Sequence, residues 1–120
     1  MDAAGLYQET AVTTQSKGRL IVMLYDRAVQ CLWKALNCIE KHEFKEKSLY
    51  LGKARDIICE LNQSINIQAG GELSQNLRML YNFLWRYLSR ANISNDTEMI
   101  HKSIGILEDL AGAWRKIVQE

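Results

Sequence analysis

The chain has 120 residues, 48% of them apolar and 24% charged, with a net charge of +1; this is the balance of one ordinary globular domain. Its 15 basic and 14 acidic residues are interspersed along the sequence. That excludes the basic stripe of a dedicated nucleic-acid binder and gives no electrostatic ground for a membrane surface, so recognition is expected to rest on apolar contacts.

The opening Met1-Asp-Ala-Ala-Gly-Leu-Tyr7 has neither the basic n-region nor the apolar h-region of a signal peptide. The longest unbroken apolar run, Leu20 to Tyr25, is far too short to span a bilayer. A cytoplasmic protein without membrane insertion is therefore expected. Residues 1–15 are rich in Thr and Gln and show no helical periodicity, which predicts an extended N-terminal tail. Its apolar members, Leu6, Tyr7 and Val12, are candidate plugs for a groove on the body.

Ser16 suits the N-cap of a first helix, predicted over about 17–41. At 100° per residue its apolar positions from Leu20 to Ile39 fill an arc of ~220°, whereas a surface helix needs only ~100°. This helix must be covered on more than one side, and one flank of the arc is assigned to a partner. Met23 sits among the polar residues opposite. The break that follows, Lys41-His-Glu-Phe-Lys-Glu-Lys47, carries charge but no Gly or Pro. A second helix is predicted over 44–66, with a stripe of Tyr50, Leu51, Ala54, Ile57, Ile58, Leu61 and Ile65.

Gly70-Gly71 is the firmest boundary in the chain, since paired glycines suit a helix C-cap and turn. The third helix, over 72–91, takes Leu73, Leu77, Leu80, Tyr81, Leu84, Leu88 and Ala91 as its core line. Met79, Phe83 and Trp85 fall outside that line among Arg78, Arg86 and Arg90, a combination suited to partner binding. Asn95 is placed to cap the fourth helix, over 96–119, with Glu98 completing a capping box. That helix is expected to bury Ile100, Ile104, Leu107, Leu110, Ala111, Trp114, Ile117 and Val118. Four amphipathic helices with short linkers predict an all-α, antiparallel up-down-up-down four-helix bundle over 16–120.

No chemistry stands out. Cys31 and Cys38 lie seven residues apart on one helix, or ~10 Å along its axis, beyond disulfide reach, and with Cys59 they are expected to be reduced thiols. Glu98-Met-Ile-His101 has the Glu-x-x-His spacing of di-iron bundles. The second copy is missing, because the residue three before His42 is Ile39. No phosphate-binding glycine loop is present, and no acid sits in an apolar stripe where its pKa would rise for acid–base work. Neither an enzyme nor a metal or other cofactor is expected.

The ordered set Tyr7, Val12-Thr-Thr14, Leu20-Ile-Val-Met-Leu-Tyr-Asp26, Leu51-Gly-Lys-Ala-Arg-Asp-Ile-Ile58, Glu60-Leu61, Gly70-Gly-Glu-Leu73, Asn76-Leu77, Leu80-Tyr81, Ala91-Asn92 and Ala113-Trp114 resembles the FliS family of flagellin export chaperones. The resemblance covers nearly the whole chain. It departs at Ser16-Lys17-Gly18, where the family usually has Ser-Pro-Glu, at Arg27, where a glycine is common, and at Ala111-Gly112, where a basic residue is common before Ala-Trp. The resemblance implies a four-helix bundle that binds the disordered C-terminal segment of flagellin. It would prevent premature polymerisation and pass the subunit to the flagellar export apparatus. Export-gate components or a co-chaperone are further implied partners, and the N-terminal segment can occupy the groove when flagellin is absent.

The partner-binding residues are expected to be Leu6, Tyr7, Val12, Leu20, Met23, Leu24, Tyr25, Trp33, Phe83 and Trp85, with plain core as the alternative for Leu24 and Tyr25. A monomer or weak dimer is expected. The alternative is a helical interaction module whose apolar surplus forms a homo-oligomer interface.

Overall fold

A computed structural model describes the backbone of residues 3–119 and the side chains of 17–66 and 68–118. Its elements are α1 (Ala3–Glu40), α2 (Phe44–Gln63), the single turn α3 (Ile65–Gln68), α4 (Gly71–Ser94) and α5 (Thr97–Gln119). The four long helices are those the periodicity predicts.

The first boundary differs. The helix expected to start after Ser16 runs on from Ala3 for 38 residues, so the backbone over 3–16 is helical rather than extended. The cause lies in composition: Ala3, Ala4, Leu6, Gln8, Glu9, Ala11 and Gln15 are good helix formers, and a helix needs no cap signature where nothing breaks it. The plug candidates Leu6, Tyr7 and Val12 lie on this segment, and their side chains are outside the described residues.

The weakly marked end of α1 has a specific geometry. His42 takes φ 59°, its N–H bonds to the Ile39 carbonyl at 3.1 Å, and the Glu43 N–H bonds to the Cys38 carbonyl at 2.8 Å. This is a Schellman closure with histidine where glycine is usual. At the end of α4, Asn95 plays the same part with φ 53°, and the Asp96 N–H reaches the Ala91 carbonyl at 3.1 Å. Asn95 therefore ends α4 instead of starting α5. The N-cap of α5 is Asp96, whose Oδ1 accepts the Met99 N–H at 3.2 Å.

The bundle is a closed ring. α1 lies between α2 and α5, and α4 completes the ring diagonally opposite α1, packed closely on α2 and more loosely on α5. Cross-links descend along one helix as they climb the other. Arg55–Ser89 and Asn62–Asn82 join α2 to α4, and Asp26–Arg115 and Trp33–His101 join α1 to α5, so adjacent helices are antiparallel. The core comprises Ile21, Leu24, Tyr25, Ala28, Leu32 and Ala35 of α1, with Leu51, Ala54, Ile57, Ile58, Leu61 and Ile65 from α2 and α3. α4 adds Leu77, Tyr81, Leu84, Leu88 and Ala91, and α5 adds Ile100, Ile104, Leu107 and Ala111. Each buried Leu or Ile contributes about 1.5–3 kcal/mol over its exposed state.

The wide apolar arc of α1 is thus explained chiefly by two flanking helices. At Gly18 the two helices come close: an added Cβ would stand 2.9 Å from Val118 Cγ2, so the glycine lets the end of α5 lie against α1.

Candidate functional site

Two polar features fix the frame of the site. At the centre, the buried hydroxyls of Tyr25 on α1 and Tyr81 on α4 are hydrogen-bonded, and the Tyr81 O–H donates to Gln68 Oε1 of α3. Gln68 Nε2 donates in turn to the Leu61 carbonyl of α2 at 2.7 Å. This relay satisfies every member and joins α1, α4, α3 and α2. Burial pushes both phenol pKa values up. For Tyr25 the Tyr81 hydrogen bond and the nearby Trp114 of α5 partly oppose the shift, and for Tyr81 proximity to Tyr25 adds to it.

At one end of the bundle, Lys47 of α2 is 4% exposed. Its Nζ donates to the Asn92 carbonyl at 2.7 Å and to Asn95 Oδ1 at 2.6 Å. A cation there answers the unpaired carbonyls and negative dipole end of α4. Desolvation lowers its pKa.

Neither feature holds α4 against α5. Among the described residues no side-chain hydrogen bond or ion pair joins these two helices. Stepping 100° per residue, α4 presents Leu73, Asn76, Leu80, Phe83 and Tyr87 toward the seam. α5 presents Met99, Ser103, Ile106, Leu110, Ala113 and Ile117. None of these is charged. Leu73 is 59% exposed, Phe83 42% and Ile117 62%, while Leu80, Met99, Ile106 and Leu110 are half-buried against the core. Phe83 stacks on Tyr87 with ring centroids 4.9 Å apart, which keeps one large apolar face at the rim. The seam is the loosest contact between neighbouring long helices, and the residues turned toward it are uncharged and mostly apolar, the kind of surface that accepts an amphipathic helix.

The expected site residues do not gather on one face. Leu24 and Tyr25 are corrected to core: Leu24 is 5% exposed and Tyr25 has no exposure, because the side of α1 that carries them faces α2 and the central relay. Leu20 and Met23 are exposed on the outward side of α1. Trp33 meets His101 edge-on at 5.5 Å in a cleft of about 620 Å³ between α1 and α5. Trp85 turns the other way, under the Arg55 guanidinium at 5.3 Å, in a cleft of about 360 Å³ between α2 and α4. Only Phe83 borders the α4/α5 seam. Leu73 and Ile117, read as core from their stripes, are seam residues, since a helix stripe shows which side is apolar but not how closely the neighbour approaches.

The cysteines are free thiols, Cys38 buried and Cys59 exposed. Burial raises the Cys38 pKa, and the Glu43 and Glu46 carboxylates add to the effect, which favours the protonated thiol over the thiolate. No helix among the described residues is long and apolar enough to cross a membrane.

The family model described as "Flagellar protein FliS" matches residues 1–120. The chain belongs to the FliS family. It is 35% identical over 113 residues to the flagellar secretion chaperone FliS of Bacillus subtilis (strain 168), covering 94% of this chain and 84% of that protein. To the flagellar secretion chaperone FliS of Salmonella typhimurium it is 36% identical over 110 residues, covering 91% and 82%. The corresponding Escherichia coli (strain K12) protein is 31% identical over 109 residues, at 90% and 80% coverage. These relatives are secretion chaperones, and the family is one of chaperones.

Proposed function

We propose that this FliS-family chain is a cytoplasmic export chaperone that holds the C-terminal segment of flagellin in the α4/α5 seam. It thereby prevents premature polymerisation and supports delivery to the flagellar type III export apparatus. The observation that supports the reading is the seam itself: two loosely packed helices facing each other with uncharged residues, with Leu73, Phe83 and Ile117 left exposed, in a chain of the FliS family. A client segment that is disordered alone gains its order by laying an apolar face along such a groove. The burial of apolar surface must exceed the ordering cost.

The N-terminal residues Leu6, Tyr7 and Val12 are the displaceable plug in this proposal. To reach the seam their helical segment leaves the axis of α1 near Gly18, where glycine lowers helix propensity by about 1 kcal/mol relative to alanine. Export-gate components or a co-chaperone would engage the loaded complex. Calorimetric titration of the full chain with a flagellin C-terminal peptide tests the reading: binding at micromolar concentration is expected, and its absence sinks it. Phe83→Asp and Ile117→Asp should each weaken that binding at least ten-fold without unfolding the bundle. Deleting residues 1–15 should tighten it, and unchanged affinity removes the plug. Self-association through the seam, the homo-oligomer reading, would instead give a stable dimer in sedimentation.

A further inference from the structure

The flank of α4 that faces α2 has a chemistry opposite to the seam. From Leu73 to Ser94 the helix carries Arg78, Arg86 and Arg90 and no acidic residue, in a chain whose net charge is only +1. On the facing flank of α2 stand Arg55, Cys59 and Asn62, while Asp56 and Glu60 are turned outward by the 100° step. Between them lies the cleft of about 360 Å³, walled by Ile58, Trp85 and Arg86. The Arg55 guanidinium covers one face of Trp85 at 5.3 Å and is fixed by Nη1 donating to Ser89 Oγ at 3.0 Å. Asn62 Nδ2 donates to Asn82 Oδ1 at 3.1 Å across the two helices. Trp85 remains 40% exposed, and the ion pair between Arg115 and Asp26 is the single one among the described residues, so Arg78, Arg86 and Arg90 have no carboxylate partner there.

We propose that this α2/α4 cleft docks an acidic amphipathic helix of a second protein, distinct from the flagellin segment. One apolar side chain of that helix enters beside Trp85, and its carboxylates pair with Arg78 and Arg86. The charge of the lining selects the partner. A guanidinium presents a planar fork that matches a carboxylate in bidentate fashion, and burying Trp beside Arg gives the composition of an interface anchor. Arg78 and Arg86 are eight residues apart, ~12 Å along the axis, close to the spacing of two carboxylates two turns apart on a docked helix. Arg90, seven residues after Phe83 and about 20° from it around the helix, lies toward the other flank and is not part of this site. Because the cleft lies on the flank of α4 away from the seam, client and second partner fit on the chain together. The docking site stands on its own geometry and does not need the flagellin reading to hold.

The test uses the full chain and a fluorescein-labelled 20-residue helical peptide with Phe at its centre and Glu one and two turns to either side, together with the same peptide bearing Lys for Glu. Anisotropy at low salt should show the Glu peptide binding at least ten-fold tighter than the Lys peptide. Its affinity should fall with ionic strength. Arg78→Glu with Arg86→Glu should reverse the preference while leaving the flagellin peptide's affinity and the helical circular dichroism unchanged. Arg86→Gln should give an intermediate loss. Equal binding of the two peptides, or a preference unmoved by the charge reversal, overturns the proposal. So does tighter binding to phosphatidylglycerol vesicles than to the Glu peptide, which assigns the row to a membrane. Loss of the flagellin peptide in the charge-reversed variant also overturns it, by making the cleft part of the client site.

Discussion

The relay from Tyr25 to Leu61 permits a quantitative test of what holds the bundle together. Tyr81 occupies its centre, donating to Gln68 and bonding to Tyr25, and it has no solvent exposure. Tyr81→Phe deletes both bonds and leaves the Gln68 oxygen with only the Tyr25 hydroxyl at 3.4 Å. A net hydrogen bond is worth about 1 kcal/mol, and an orphaned buried acceptor costs about 1–3 kcal/mol. The expected loss is therefore about 2–3 kcal/mol. Tyr25→Phe leaves the Tyr81–Gln68 bond intact and should cost only about 1 kcal/mol. In the double variant the Tyr81 hydroxyl is no longer present to be stranded or satisfied, so its loss should fall short of the sum by about 1 kcal/mol. Urea denaturation measures all three, and with m near 2 kcal/mol/M the Tyr81→Phe midpoint should drop by roughly 1 M. Equal losses for the two single variants, or strict additivity, would refute the relay as the link between α1 and α4.

Three further outcomes follow from the same contacts. Both phenols have raised pKa values in the folded state, so the unfolded chain releases their protons first as pH passes about 10. The stability they lend should be present below that pH and lost above it, visible as a lower urea midpoint at pH 11 than at pH 8. Lys47, with its folded pKa lowered, acts in the opposite sense: the native state gains as pH rises through that lowered value toward the ordinary one of about 10.5. Lys47→Met should remove this gain and, by orphaning the Asn92 carbonyl, cost about 1–3 kcal/mol at pH 7, read as a fall in Tm. Leu24→Ala should cost about 3–5 kcal/mol as a core truncation, against less than about 0.5 kcal/mol for Leu20→Ala on the surface. Similar values for the two would undo their assignment to core and surface.

Much of the fold is legible in the sequence because periodicity is a strong signal. The stripes of the second helix and of Leu77, Tyr81, Leu84 and Leu88 lie where they were read. What escaped has identifiable causes. His42 and Asn95 close helices in the left-handed region, and neither residue announces that as glycine does. Ser16 resembles an N-cap and residues 1–15 lack an apolar stripe, yet the helix runs straight through both, because neither feature breaks a backbone of helix-forming residues. Lys47 reads as solvent-facing, yet the carbonyls at the end of α4 give its charge a destination only the tertiary structure supplies. Tyr25 and Leu24 belong to the stretch most like the FliS family and are interior. The exposure of Leu73 and Ile117 depends on the spacing between α4 and α5, which no single helix encodes.

That spacing has a mechanical consequence. α5 meets α1 through the Gly18 contact with Val118, the Asp26–Arg115 pair and the Trp33–His101 edge, and among the described residues no side-chain hydrogen bond or ion pair fastens it to α4. It is hung like a door, hinged along α1 with its latch side free. The hydrogen-bond relay ties the other helices into the frame. On the proposed function, a client segment entering the seam would widen it by displacing α5 from α4, with the tyrosine pair unbroken. On that reading the bundle divides into three helices fastened to one another and a fourth fastened on one side.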